Sequence, residues 1–263
     1  MNAPDRFFLP DVQASADQRQ LAIHKVGVKG LRYPLALLDD EGQVQHTVAQ
    51  IAMSVGLPPE LKGTHMSRFV EILEQRREPL NVKRLLRMFE DMLLRLDASS
   101  GEIELAFPYF IKKSAPVSAV ESLLDYDVRM IVGKREGLAA ELTLEVVAPV
   151  TSLCPCSKEI SEYGAHNQRS HITMAIESRS PVSPESLIRV AEEEASSEIY
   201  GLLKRVDEKF ITERAYDNPK FVEDLVRDVA LALNADPRIG RYVAEVENFE
   251  SIHNHSAYAR IER

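Results

Sequence analysis

Two kinds of apolar periodicity follow one another along this chain, and their order constrains the fold more than any other feature. Strict alternation from Ile103 to Ile111 predicts a strand, because successive side chains of a strand point to opposite faces. Just before it, residues 81–96 carry apolar side chains at helical spacing, with Asn81 as the predicted N-cap. The chain therefore combines amphipathic helices with half-buried strands.

The first half of the chain follows the order strand, strand, helix, helix, strand, strand. Residues 21–38 and 43–55 have extended apolar character, and residues 66–75 have helical spacing. The helix over residues 81–96 and the alternating strand follow, and a further strand is predicted over residues 122–132.

The second half repeats this order. Strands are predicted over residues 142–146 and 171–176. Ser183–Pro184 is typical of a helix start and predicts a long helix that carries apolar residues as far as Leu203. Asn218–Pro219 repeats that signal and predicts a second helix. Two closing strands are predicted over residues 242–249 and 256–261.

This order predicts the α+β class, with antiparallel sheets that carry helices on one face. We expect an N-terminal tail over residues 1–17, a first module over residues 18–134 and a second over residues 135–263. Each module leaves sheet edges unpaired, and assembly into a barrel removes such edges. We therefore expect a homo-oligomer.

Charge and hydropathy exclude two classes of protein. The formal net charge is −9, which argues against a general nucleic-acid binder with a basic face. No apolar run approaches the roughly 20 residues that a membrane span needs. The first residues lack the basic start and apolar stretch of a signal peptide, so we expect a cytoplasmic protein that binds neither nucleic acid nor membrane.

The richest polar segment covers residues 151–171, between two predicted strands. It holds Cys154, Cys156 and His166, and thiolate and imidazole are the ligand types that zinc and similar metals favour. A structural zinc site would usually take four protein ligands, often two cysteine pairs, and the chain has only 2 cysteines. A catalytic site with an open position, a reactive or redox cysteine pair and plain loop thiols remain the alternatives.

Two further segments are candidates for chemistry. Residues 247–255 end in His253 and His255, which suit a metal ligand or a proton shuttle, although solvent-exposed turn histidines are the simpler interpretation. Residues 62–69 lead into a helix, where Lys62 and Arg68 can bind a phosphate, although for this segment alone a capped helix start with solvated charges is the simpler interpretation. By sequence alone, Glu208, just after a helix, and Glu223 are ordinary acids.

These segments together resemble the type IB GTP cyclohydrolases. The similarity lies in LPPELKGTHMSRF, TSLCPCSKEIS followed by YGAHNQRS, and ENFESIHNHSA, which run in order from Leu57 to Ala257. The resemblance implies a tunnelling fold with two tandem ββααββ modules whose sheets assemble into barrels, and a homotetramer. It also implies the conversion of GTP and water to formate and 7,8-dihydroneopterin triphosphate, the first step of tetrahydrofolate biosynthesis.

The resemblance also implies roles for particular residues. The metal ligands would be Cys154, His166 and Glu208, which hold one divalent ion, Zn, Mn or Fe(II), per active site. Glu223 would anchor the purine. Cys154, Cys156 and His253 match positions tied to catalysis. Candidate contacts to the rest of GTP, some of them supplied across subunit boundaries, are Lys62, His65, Arg68, Lys112, Lys113 and Arg169.

Two competing hypotheses use the same scaffold. A tunnelling-fold reductase would reduce the nitrile of a deazaguanine with NADPH through a thioimide to Cys154 or Cys156. A non-catalytic purine sensor or metal-storage module would bind GTP without turnover. Formate release from GTP separates both from a cyclohydrolase.

Overall fold

The computed structural model describes residues 13, 15–39, 41–75 and 78–263, so the predicted tail over residues 1–17 lies largely outside it. The described residues form one antiparallel sheet of 8 strands, in which every strand pairs with its neighbours in sequence. The strands are β1 (Ile23–Leu38), β2 (Val44–Leu57), β3 (Gly101–Ser114), β4 (Glu121–Lys134), β5 (Glu141–Leu153), β6 (Asn167–Ser178), β7 (Ile239–Phe249) and β8 (Ser256–Glu262).

The helices lie in the connections between strands. They are α1 (Met66–Glu74), α2 (Val82–Arg95), α3 (Pro155–Ile160), α4 (Pro184–Glu194), α5 (Arg205–Asp217) and α6 (Val222–Ala235). No helix in the described part of the chain combines the length and the apolarity that crossing a bilayer requires.

One face of the sheet packs against the helices and forms the core. In β3 every second residue from Ile103 to Tyr109 is buried, as the alternation predicts. Asn81 caps α2 by accepting a hydrogen bond from the backbone N–H of Arg84 at 3.0 Å, which confirms the predicted helix start. Phe89 of α2 is 1 % exposed, so this helix buries its apolar face in the same core.

The opposite face carries charged pairs that cross between strands. Arg129 of β4 lies 2.7 Å from Glu104 of β3 and 3.8 Å from Glu145 of β5. Arg241 of β7 reaches Glu141 at 3.3 Å in the same way. These charged side chains are partly exposed, so this face of the sheet is polar.

Two predicted helix boundaries in the second half are wrong, although both helices are present. The helix that starts at Pro184 ends at Glu194, because the next segment gives its backbone hydrogen bonds to β5: Thr151 and Ser197 exchange two, at 2.8 and 3.2 Å. The residues after this segment form the separate helix α5, and Glu208 lies in its first turn rather than after a helix.

Asn218–Pro219 connects α5 to α6 and does not begin a helix. Asn218 is the C-cap of α5, and its side chain donates to the carbonyl of Ala195 at 2.9 Å. The backbone N–H of Lys220 donates to the carbonyl of Leu153 at 3.0 Å. The connection is therefore held on the end of β5, and α6 begins only at Val222.

A buried ion cluster joins β3 to α4 and the segment after it. Lys113 is 7 % exposed, and its Nζ donates to Glu192 at 2.6 Å, to Glu198 at 2.7 Å and to the carbonyl of Ile199 at 2.9 Å. Burial alone would raise the pKa of Glu198, but the hydrogen bonds from Lys113 and Tyr200, together with the charges of Lys113 and Arg214, outweigh it and hold that pKa below its usual value.

We expect Lys113→Met to lower the free energy of unfolding by about 3–5 kcal/mol, because it leaves Glu192 in the interior without this cation and Glu198 with only Arg214, at 3.2 Å. Lys112→Met is the matched control, since Lys112 is exposed and pairs with Glu121 at 2.6 Å on the surface. Its loss should cost at most about 1 kcal/mol. Urea unfolding of both variants measures the difference, and equal losses would contradict the role of the buried cluster.

Candidate active site

Cys154 and His166 lie side by side because β5 and β6 pair in a fixed register. Leu153, the last residue of β5, pairs with Asn167, the first residue of β6. The residues that flank this pair are Cys154 and His166, and the backbone N–H of Cys154 donates to the carbonyl of His166 at 3.1 Å. Cys154 is also the N-cap of α3, with Pro155 at its first position.

Ser157 fastens the two candidate ligands to each other. Its backbone N–H donates to Cys154 Sγ at 3.4 Å, and its hydroxyl donates to the carbonyl of Cys154 at 3.1 Å. The same hydroxyl accepts from the backbone N–H of His166 at 3.1 Å. Both cysteines are free thiols; Cys154 is half-buried, whereas Cys156 is exposed on α3.

The C-terminal segment reaches the same place. Ser251 Oγ, in the turn between β7 and β8, lies 3.3 Å from His166 Nδ1. Farther along this turn, the rings of His253 and His255 stack with centroids 5.1 Å apart, and both residues are exposed. The structure therefore brings two of the three polar segments together at one end of the sheet.

Glu223 also belongs to this end of the sheet. It is exposed in the first turn of α6, three residues after Lys220, which bonds Leu153. The connection from α5 to α6 thus holds the start of α6 against the strand end from which Cys154 projects.

Glu208 lies at the same end of the sheet but farther from Cys154. It is exposed near the start of α5. The other end of that helix contacts α3, because Lys158 Nζ of α3 lies 4.2 Å from the ring centroid of Tyr216. Eight residues of helix separate Glu208 from Tyr216, which is a rise of about 12 Å. Within the described residues of one chain, no three His, Cys, Asp or Glu side chains are placed to hold a metal ion together.

The start of α5 is fixed by Asp207, which sequence reasoning missed. Its carboxylate is fully buried and accepts from the backbone N–H groups of Val117, Ser118 and Lys204 at 2.8–2.9 Å, and from the Ser118 hydroxyl at 2.6 Å. Burial by itself would raise the pKa of Asp207, but these hydrogen bonds outweigh it and hold the pKa well below its usual value. Asp207 thereby fixes the position of its neighbour Glu208.

The predicted phosphate contacts divide between the two ends of the sheet. Lys62, His65 and Arg68 follow the C-terminal end of β2. The pairing of β2 with β3, β3 with β4 and β4 with β5 places that end level with Glu141, at the start of β5. Because β5 has 13 residues, its two ends lie about 40 Å apart. These three residues are therefore remote from Cys154 in the same chain. Arg68 Nη1 donates to the carbonyl of Arg95 at 3.0 Å.

The remaining candidates are at the Cys154 end. Arg169 is exposed on β6, and its charge, after burial, is the second factor that lowers the pKa of His171. Lys112 is exposed at the end of β3. Lys113 differs from both, because its three N–H donors are used by Glu192, Glu198 and Ile199. This placement favours a structural role for Lys113 over the predicted phosphate contact.

Solved structures share this fold. The uricase from Arthrobacter globiformis superposes with a TM-score of 0.54 at 8% identity, covering 91% of this chain and 92% of that one. Urate oxidase from Bacillus subtilis 168 gives 0.53 at 8% identity, with 91% and 98% covered. Such low identity shows the fold alone: the protein is of the tunnelling-fold class.

The sequence narrows this class to one family. The family described as "Type I GTP cyclohydrolase folE2" matches residues 9–259. GTP cyclohydrolase FolE2 1 of Dechloromonas aromatica is 70% identical over 261 residues, covering 99% of this chain and 98% of that protein. GTP cyclohydrolase FolE2 of Burkholderia multivorans is 61% identical over 257 residues, covering 98% and 95%. This chain belongs to the type I GTP cyclohydrolase FolE2 family, in agreement with the resemblance seen in its motifs.

We expect Asp207→Asn to destabilise the protein in a pH-dependent way. A carboxylate whose folded pKa is depressed stabilises the folded state above the unfolded pKa of about 3.9, and this contribution is lost as pH falls toward the folded value. Urea unfolding should therefore show the largest gap between wild type and variant near neutral pH and a narrowing gap below about pH 4. Glu213→Gln, exposed on the same helix, is the control. A gap that stays constant with pH would contradict this role of Asp207.

Proposed function

We propose that this chain converts GTP and water to formate and 7,8-dihydroneopterin triphosphate, the first step of tetrahydrofolate biosynthesis. The observation that carries the proposal is its similarity, over nearly the whole chain, to proteins named GTP cyclohydrolase FolE2, at 60–70% identity. The pairing of Cys154 with His166 at one strand end supports it, because these two groups are suited to the chemistry of a metal-dependent hydrolase.

The metal site that we propose has a ligand set that one chain only partly assembles. Cys154 and His166 offer donors that suit Zn, Mn or Fe(II), and Glu208 would complete the set. Glu208 is not beside them in the single chain, so we propose that its carboxylate joins the site in the assembled oligomer. When bound, such an ion lowers the pKa of a coordinated water and polarises the substrate.

The chain's own residues would bind the guanine and move protons. The Glu223 carboxylate would accept two hydrogen bonds, from the exocyclic amino group and from the ring N–H, which selects guanine over adenine. His253 or Cys156, exposed at the same end of the sheet, would donate a proton to a ring nitrogen as the imidazole ring opens at carbon 8.

The triphosphate would be held by cations from more than one chain. Lys112 and Arg169 share the Cys154 end of the sheet, whereas Lys62, His65 and Arg68 lie at the other end. If both groups serve one active site, a neighbouring subunit must supply the second. This requirement supports a homo-oligomer. We propose that it is a homotetramer of chains with two tandem modules each, over residues 18–134 and 135–263, whose edge strands β1 and β8 join in barrels. We propose a cytoplasmic location for this assembly.

The two cysteines give a matched test of the metal site. We expect Cys154→Ala to lose both bound metal and turnover, by at least about 100-fold, because it removes a ligand. Cys156→Ala should keep the metal and lose turnover only. Metal content, formate release and the fluorescence of the oxidised pterin are measured after chelation and after reloading with Zn, Mn or Fe(II). Full activity of Cys154→Ala would contradict its assignment as a metal ligand. Wild-type protein that binds GTP but releases no formate would contradict the proposed enzymatic activity.

Guanine recognition is tested by Glu223→Ala. We expect GTP affinity to fall by at least about 100-fold, since Glu223 would make two charge-assisted hydrogen bonds that contribute about 1.5–3 kcal/mol each. Inosine triphosphate, which lacks the exocyclic amino group, should bind wild type more weakly than GTP does but bind the variant as well as GTP does. Glu90→Ala, on the exposed side of α2, is the control and should behave as wild type. Retained discrimination in Glu223→Ala would contradict the assignment.

A further inference from the structure

A chain of hydrogen bonds runs from the His166 ring into the core. His166 Nδ1 lies 3.0 Å from Gln168 Oε1, and Gln168 Nε2 donates to Ser152 Oγ at 2.8 Å. Ser152 Oγ lies 2.8 Å from Ser170 Oγ, whose hydroxyl donates to Asn248 Oδ1 at 2.7 Å. One end of this chain is a ring at the candidate active site, and the other is buried in β7.

The four residues behind His166 occupy positions where a sheet normally carries apolar side chains. Gln168 is 7 % exposed, Asn248 is 3 % exposed, and Ser152 and Ser170 are fully buried. Ser152 pairs with Gln168 across β5 and β6, and Ser170 pairs with Asn248 across β6 and β7. Buried polar groups stabilise a core less than apolar groups of the same shape, so this cluster indicates a requirement other than packing.

The hydrogen bonds in this series all run in one direction, because each hydroxyl has a single proton to donate. Ser170 gives its proton to Asn248 Oδ1, which can only accept, so Ser170 Oγ accepts from Ser152. Ser152 Oγ in turn accepts from Gln168 Nε2, and the carbonyl oxygen of that amide therefore faces His166. A carbonyl oxygen can only accept, so with the two amides in these orientations the His166 nitrogen that faces Gln168 carries the proton.

We propose that Gln168, oriented by Ser152, Ser170 and Asn248, holds the neutral His166 ring as the Nδ1–H tautomer and so keeps the Nε2 lone pair available to bind a divalent cation. Ser251 Oγ lies 3.3 Å from the same nitrogen, and in this tautomer it is a second acceptor for Nδ1–H. Within the described part of the chain no hydrogen bond involves Nε2. Gln168 is thus a positioning residue that acts through His166, and only its consequence for metal binding rests on the proposed function.

The opposite direction is the competing arrangement. If the amides of Asn248 and Gln168 were both turned over, Asn248 would donate to Ser170, and Gln168 would donate to His166 Nδ1. The ring proton would then lie on Nε2, where it would block a ligand. The heavy-atom positions would hardly change, but the ring proton would lie on Nε2 instead of Nδ1. A ¹⁵N NMR spectrum of the ring distinguishes these two tautomers directly.

The experiment uses the full-length protein, labelled with ¹⁵N in its histidines and freed of metal by a chelator, at about pH 8.5, where a typical imidazole is neutral. Loss of a signal in His166→Gln assigns the ring. Long-range proton–nitrogen correlation should show a protonated Nδ1 and an unprotonated Nε2 in wild type. We expect Gln168→Met to shift the ring toward the other tautomer, because the acceptor at 3.0 Å is gone and only the longer contact to Ser251 Oγ, at 3.3 Å, remains for Nδ1–H.

Ser170→Ala tests the direction of the chain without touching His166 or Gln168. Ser152 loses the acceptor of its proton and can give it to Gln168 instead, so the amide turns over and the tautomer ratio shifts toward Nε2–H. Thr47→Val is the matched control, because Thr47 is also buried and donates to the carbonyl of Pro108 at 2.8 Å, far from the hydrogen bonds behind His166. It should leave the His166 ring unchanged.

Zn²⁺ affinity, measured by competition with a chromophoric chelator, gives a separate result. We expect Gln168→Met to bind about 10–100-fold more weakly than wild type. A wild-type ring protonated on Nε2, or a tautomer that neither variant changes, would overturn the inference. A changed tautomer with unchanged Zn²⁺ affinity would leave the role of Gln168 standing and remove His166 from the ligand set of the proposed function.

Discussion

Leu153 pairs with Asn167 across β5 and β6, and this register brings Cys154 beside His166 although a helix and a loop separate them in sequence. A strand shifted by one residue would turn every side chain to the opposite face. The inward positions of the same strands hold Ser152, Gln168 and Ser170, so the register fixes both the two candidate ligands and the polar cluster behind them. A rigid sheet thus supplies the precision that a flexible loop lacks.

Buried polar contacts do the same work elsewhere around the site. Asp207 holds the start of α5 on the turn between β3 and β4, and Lys113 holds the segment after α4. That segment bonds Thr151, two residues before the strand end. Removal of either residue would leave buried polar or charged groups without a partner. The residues that position the candidate site therefore also stabilise the interior.

The separation of the polar segments bears on assembly. Two of them meet at the Cys154 end of the sheet, while the segment with Lys62 lies at the other end of the same strands. One chain therefore does not bring its three polar segments together. A sheet with free edge strands can bring such ends together by pairing with copies of itself.

Local sequence determined the strands, α2 and the family, because alternation, an N-cap and long motifs depend on residues close together in the chain. Gln168 and Ser170, polar residues at inward positions of β6, carried a signal of the buried cluster that periodicity alone does not interpret. Only the tertiary structure decided where α4 ends, that Asn218 caps α5, and that Lys113 is buried. Those outcomes depend on backbone and charge partners from distant strands, such as Thr151 with Ser197, and local propensity contains no information about such partners.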